Sequence, residues 1–257
     1  MRTSNSTRLA LLVLSMVAAP ALAGEDCKFT AGRSAALDTT GAKSIEIVAR
    51  AGELELRPSS TKTIAAEGRA CASSEEYLAQ VNVRAQRKGD VVRVYVEVPE
   101  QMSGIGVFYA WLDLTVDVPA ALPVTVTDSS GDMSIDAVQV VRITDSSGDI
   151  VARKLPADVE IGDSSGEIRV ENAAGRVTIT DSSGDIVVRG AREVLIPTDS
   201  SGSIRIEQVS GNVRIENDSS GDVSIADVGG SFELLADSSG DVDVSEVKGA
   251  VSLPQTD

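Results

Sequence analysis

The sequence predicts an all-β protein: a parallel β-solenoid with coils of about 18 residues, preceded by an irregular β region that caps it. Three observations lead there. Asp-Ser-Ser-Gly recurs at Asp128, Asp145, Asp163, Asp181, Asp199, Asp218 and Asp237, at spacings of 17, 18, 18, 18, 19 and 19 residues. Each Gly is followed by one more residue and an apolar-x-apolar run, and a second such run comes half a coil later. Aromatic residues make up only 3% of the chain, which suits a narrow aliphatic interior.

Taken from the start, residues Met1 to Ala23 read as a secretory signal peptide. Arg2 and Arg8 precede an apolar stretch from Leu9 to Val17, and Ala21-Leu22-Ala23 forms an Ala-x-Ala site, so cleavage is expected after Ala23. The apolar stretch is shorter than the ~20 residues a membrane span needs, and no later segment approaches that length. A soluble exported protein, periplasmic or secreted, with no transmembrane anchor is therefore expected. Cys27 lies too far beyond Ala23 to be a lipidated first residue, and Leu253 to Asp257 reads as a polar terminus.

The chain carries 23 basic and 39 acidic residues, a net −16 at pH 7. Losing Arg2 and Arg8 with the leader makes it −18. Such a charge repels nucleic acid and anionic lipid and favours cations or basic partners. Cys27 and Cys71 are the two cysteines, and in an oxidising compartment they are expected to pair. On the chain-entropy account that bridge contributes roughly 4 kcal/mol.

Residues 24–125 are expected to form the N-terminal β cap or a set of irregular wide coils. Strand-like runs stand at Ser44 to Val48, Glu53 to Leu56, Val91 to Val98 and Trp111 to Val118. Ser73-Ser74-Glu75-Glu76-Tyr77-Leu78 has the Ser cap and acidic first turn of a short helix. A unit of this kind would cover the open edge of the solenoid, which would otherwise template aggregation.

Residues 126–257 are expected to form seven regular coils. Period-two alternation gives strands with one buried face, and stacking turns each apolar position into a column. One column runs Met133, Ile150, Ile168, Ile186, Ile204, Val223, Val242; the next runs Ile135, Ala152, Val170, Val188, Ile206, Ile225, Val244. The opposite strand supplies Ile143, Ile161, Ile179, Ile196, Ile215, Leu234 and Leu253. On the outer face Arg153, Glu171, Arg189 and Glu207 alternate in sign from coil to coil, an arrangement of adjacent opposite charges at ~4.8 Å.

The units Ser130-Gly131-Asp132, Ser147-Gly148-Asp149, Ser183-Gly184-Asp185, Ser220-Gly221-Asp222 and Ser239-Gly240-Asp241, each followed by apolar-x-apolar behind a signal peptide, resemble the bacterial "putative adhesin" β-strand-repeat family. The resemblance covers roughly Ile45 to Leu253. It implies a right-handed parallel solenoid in an envelope setting and carries no established catalytic or ligand residues. Coil three departs from the pattern with Glu167 and coil five with Ser203.

Two groups of residues are candidates for function. The first is the Asp column itself, Asp128 to Asp237. Its simplest role is local: the carboxylate accepts the turn's own N–H groups while Gly takes positive φ. Seven carboxylates stacked at ~4.8 Å would also repel one another by roughly 3–4 kcal/mol per neighbouring pair at an effective dielectric of 20. A second acidic column, Asp132, Asp149, Glu167, Asp185, Asp222 and Asp241, lies nearby, and oxygen-rich columns suit Ca²⁺. The calcium-binding nonapeptide is absent. The second candidate is a partner-binding loop carrying Phe108, Tyr109 and Trp111, with a buried hairpin as the alternative.

For catalysis the chain offers little. It has no histidine, which removes a Ser-His-Asp site and a His-ligated metal. Ser59-Ser60-Thr61-Lys62 matches S-x-x-K without its companion motifs and falls at an expected turn. Seven near-identical acidic corners point to structure, since an active site is a single asymmetric cleft. The expected function is a non-catalytic envelope scaffold or adhesin-like binding protein with a protein or polysaccharide partner and no cofactor. A calcium-binding β-roll-like module and a polysaccharide-active β-helix enzyme are the alternatives.

Overall fold

A computed structural model describes residues 27–100, 102 and 107–254. The expected leader at 1–23, its cleavage site, the glycines of the aromatic loop and the last three residues lie outside the described residues. The described residues are all-β apart from one turn of helix.

The first elements are β1 (Phe29–Asp38), β2 (Ser44–Val48), β3 (Leu54–Ser59), β4 (Thr63–Ala72), α1 (Glu75–Leu78), β5 (Asn82–Lys88), β6 (Val91–Glu97) and β7 (Ala110–Pro119). Ser74 caps α1 by accepting the Tyr77 amide on its hydroxyl, as the Ser-rich start predicts. The regular part begins with β8 (Val124–Thr127), β9 (Met133–Asp136), β10 (Val140–Thr144) and β11 (Ile150–Arg153). It then repeats to Ser252.

Every pairing in the regular part is parallel. Met133, Ile150, Ile168, Ile186, Ile204, Val223 and Val242 are successive partners, and so are Ile135, Ala152, Val170, Val188, Ile206, Ile225 and Val244. Both columns reach back into the first half. Leu54 and Leu56 of β3 pair with Met133 and Ile135 on one side and with Leu114 and Val116 of β7 on the other. A third inward column, Val138, Leu155, Ala173, Ala191, Val209 and Val228, fills the short side of the coil and is also buried. Each fully buried Ile or Val contributes roughly 1.5–3 kcal/mol over its exposed state.

Stacking order departs from chain order at the N-terminal end. Strands β2 and β3 pair with β8 and β9 in one direction and with β6 and β7 in the other. Beyond that outermost coil the direction changes: β5 pairs antiparallel with β6, β4 antiparallel with β7, and β1 antiparallel with β4. The antiparallel strands cover the stack's end, and Cys27 and Cys71 bridge there with Cα atoms 5.8 Å apart.

At the opposite end the aliphatic columns come out into solvent. Leu253, expected as an interior residue, is 46% exposed, and Val242 and Val244 are half-buried. They belong to the last described coil, so no further coil covers them among the described residues.

The corner glycines set the tolerance of the stack. Gly184 has φ +138°, and a Cβ built on it would lie 1.8 Å from the Gly166 carbonyl oxygen, which is fixed backbone. Gly89 also has positive φ, at +65°, but faces open space. Gly89→Ala is expected to cost only the left-handed backbone penalty of about 1–2 kcal/mol. Gly184→Ala must in addition push two coils apart, and should cost well beyond that; urea unfolding of the two variants beside the parent measures the difference.

Candidate functional site

The repeated corner is built from hydrogen bonds that run from coil to coil. The amide of each corner Asp from Asp128 to Asp218 donates to the carbonyl of the residue just before the next coil's corner, as Asp145 N does to Gly162 O at 2.9 Å. The corner Gly likewise donates to the next coil, as Gly184 N to Ser201 O at 2.9 Å. The second Ser of each turn donates its hydroxyl to the first Ser's carbonyl one coil earlier. Ser147 bonds Ser129 at 3.1 Å, Ser165 bonds Ser146 at 3.1 Å and Ser183 bonds Ser164 at 2.9 Å. The first Ser of most turns is exposed, and it enters this ladder through its carbonyl, as Ser182 O accepts the Ser201 hydroxyl at 3.3 Å.

The outer acidic column is likewise occupied by structure. Asp132 accepts the Asp149 amide at 3.1 Å, Asp149 the Glu167 amide at 2.8 Å, Asp185 the Ser203 amide at 2.8 Å and Asp222 the Asp241 amide at 3.0 Å. The longer Glu167 turns aside to Arg169 instead. On the flat face the alternating charges meet, Arg153 with Glu171 at 3.2 Å and Arg189 with Glu207 at 2.9 Å. These pairs are partly exposed at the surface and contribute little individually.

The corner Asp side chains face inward. Asp128, Asp145, Asp163, Asp181, Asp199 and Asp218 are all buried, the last two with no exposed surface. Oδ1 of Asp128, Asp145 and Asp181 accepts the amide of the following Ser at 2.7 Å. Asp237 accepts the Ser239 amide at 3.1 Å. At Asp163, Asp199 and Asp218 the Ser amides still lower the carboxyl pKa without completing a hydrogen bond. Burial outweighs them at the six positions from Asp128 to Asp218. It pushes Asp128, Asp145 and Asp181 up to about 6, and it raises Asp163 and Asp218. Asp199 reaches about 7, because Asp181 and Asp218 add their charge to the desolvation. The Asp residues form a single file, and among the described residues no three acidic or Cys side chains converge as a metal site.

The other sequence candidates lie on the cap. Tyr77 and Phe108 meet edge to face with centroids 5.9 Å apart, Tyr109 and Trp111 lie 5.2 Å apart, and Trp111 sits opposite Cys71 in the β4–β7 register. All four rings are half-buried, while Met102 and Val107 beside them are exposed. Ser59 and Lys62 of the S-x-x-K match flank the β3–β4 turn, where the Ser59 hydroxyl is 3.0 Å from that of Thr61.

One corner escapes the sequence reading. Ala49-Arg50-Ala51-Gly52 occupies the place of Asp-Ser-Ser-Gly in the coil before Asp128: Ala49 N donates to Thr127 O at 2.9 Å, Ser130 bonds the Arg50 carbonyl, and Gly52 has φ +109°. The signal was present in Gly52-Glu53-Leu54-Glu55-Leu56, which keeps the Gly-acid-apolar-x-apolar order without the Asp.

A family model described as Toastrack DUF4097 matches residues 38–195, more than half of the chain. The chain belongs to this family. The Toastrack match begins at the end of β1 and stops within the coil that follows Asp181, and the later Asp-Ser-Ser-Gly coils continue the same ladder beyond it. No curated protein matches the chain. Solved structures of similar architecture include a "putative adhesin" from Bacteroides fragilis, 11% identical with a TM-score of 0.46, covering 88% of this chain and 97% of that one. A "putative lipid binding protein" from Parabacteroides distasonis is 14% identical with a TM-score of 0.46, covering 87% and 97%. A "putative cell adhesion protein" from Clostridium sporogenes is 10% identical with a TM-score of 0.38, covering 88% and 100%.

The two serines of a Toastrack corner should separate cleanly by mutation. Ser183→Ala removes the bond to Ser164 and is expected to cost about 1 kcal/mol. Ser182→Ala removes an exposed hydroxyl and is expected to stay within about 0.5 kcal/mol of the parent. Chemical denaturation of both variants checks this.

Proposed function

We propose that this Toastrack solenoid is a non-catalytic, exported scaffold and binding protein of the cell envelope, adhesin-like in the sense that its flat outer faces meet a protein or polysaccharide partner. The observation that carries the reading is the fate of its polar repeats. The second-Ser hydroxyls and the carboxylates of Asp132, Asp149, Asp185 and Asp222 are committed to inter-coil bonds. They are therefore held as parts of the scaffold. What faces outward in quantity is a rigid, regular pattern of charge on parallel strands, which suits recognition of an extended partner more than chemistry at one point. The signal peptide read in residues 1–23 and the Cys27–Cys71 bridge support export.

The test uses protein purified without the leader and incubated with isolated envelope fractions and with a panel of polysaccharides. Saturable binding is expected. It should weaken at least several-fold when the flat face loses a charge by Arg189→Gln, with the melting temperature little changed because the partly exposed Glu207 pair contributes little. Hydrolytic or lyase activity on an envelope glycan, abolished by a single change such as Asp185→Asn, would overturn the proposal. Fractionation of producing cells should place the processed protein outside the cytoplasm.

A further inference from the structure

Nine of the ten buried side-chain polar atoms without a hydrogen-bond partner among the described residues are carboxyl oxygens of one file, Asp128, Asp145, Asp163, Asp181, Asp199 and Asp218. The turn does not require them. Ala49 holds the same position one coil earlier, and that corner closes with its glycine at positive φ and its ladder bonds intact. Something other than backbone geometry has to satisfy the file.

The charges that act on it are carboxylates. Asp145 acts on Asp128, Asp163 on Asp145 and Asp181, Asp149 on Asp163, Asp181 and Asp218 on Asp199, and Asp237 on Asp218. On the outer side of the same corners stand Asp132, Asp149, Glu167, Asp185 and Asp222, also acidic, with Arg169 drawn to Glu167. Among the described residues no Lys or Arg is paired with any member of the file. A row of buried like charges without counter-charge must be neutralised, by protons or by cations. Calcium takes six to eight oxygens, and the file offers no convergent group of three acidic side chains.

We propose that the carboxyl file from Asp128 to Asp218 is a proton-binding site: part of it is held as neutral acid in the folded solenoid, the proton residing on a carboxyl oxygen that no backbone amide reaches. At pH values between the unfolded and the folded pKa, folding takes up these protons and unfolding releases them. The displaced titration agrees, with Asp199 raised to about 7 and Asp128, Asp145 and Asp181 to about 6 from 3.8. Because the folded state holds the proton more tightly than the unfolded chain, the stability this confers is complete below the unfolded pKa. It is lost progressively as pH rises from the unfolded value of 3.8 and is gone once pH passes about 6 to 7. The inference concerns the scaffold's interior and does not depend on what binds its outer faces.

The experiment compares protein lacking the leader with its Asp181→Asn, Asp199→Asn variant. Thermal unfolding is followed by circular dichroism from pH 5 to pH 9, in EDTA and again with millimolar Ca²⁺, alongside infrared spectra of the carboxylic-acid C=O stretch. The parent's melting temperature is expected to fall by several degrees between pH 5 and pH 8, with the acid band fading over the same interval. The variant, which carries the neutral shape permanently, should show a shallower fall, a weaker band and a melting temperature at pH 8 at least equal to the parent's. Should the double variant fail to fold, Asp199→Asn alone and the parent's infrared titration decide the matter. A parent without an acid band above pH 5 would overturn the proposal. So would a Ca²⁺-specific rise in the parent's melting temperature that the Asn variant loses, which would make the file a cation site.

Discussion

Everything in this molecule depends on how closely one coil's backbone can approach the next at the Asp-Ser-Ser-Gly corner. Each corner glycine stands so near the preceding glycine's carbonyl that a Cβ would fall within about 2 Å of it, closer than real contacts allow. That approach brings the corner Asp and Gly amides, from Asp128 to Gly221, onto carbonyls of the neighbouring coil. It also sets the register that lays Ile on Ile and Val on Val. A bulkier residue there would open the ladder and the aliphatic columns together, because the same spacing serves both.

The close approach also produces the chain's main electrostatic difficulty. Identical residues stack on identical residues, so an acid at one corner position is repeated at strand spacing along the axis. Where the acid points outward, the backbone answers it with an amide from the next coil, and alternating Arg and Glu do the same on the flat face. Where it points inward the next coil offers no amide: Asp128, Asp145 and Asp181 accept amides of their own turn on one oxygen, and the other oxygens of the file are left to desolvation and to each other. Outward and inward acids look alike in the repeat, yet their environments differ completely.

Legibility in the sequence follows the same division. The regular coils were readable because period-two alternation and the returning Gly fix register without knowledge of the rest. The outer Asp column's bond to the next coil's amide was not readable, since it depends on a distance between coils. Strands β1, β4 and β5 carried little signal: Ala, Gly and Ser dominate β1 and β4, and such residues have weak strand preference. The left-handed corner after each first strand was similarly hidden. Asn172 and Gly190 are suited to it, but Ala137, Lys154, Gln208, Asp227 and Glu246 adopt positive φ there as well, held by the coils on either side.

The order of strands at the capped end carries a consequence for assembly. A solenoid whose coils stack in chain order can extend one turn at a time as the polypeptide appears, each new turn docking on a finished one. Here β2 and β3 lie between a coil made by β6 and β7 and another made by β8 and β9. When β2 and β3 first emerge, neither neighbour exists. The cap is therefore a loop-closure event of large sequence separation, and it is the entropically demanding step of folding. The local, repetitive turns that follow are the rapid part. The segment where the repeat is least evident thus governs when the regular portion acquires a foundation to grow from.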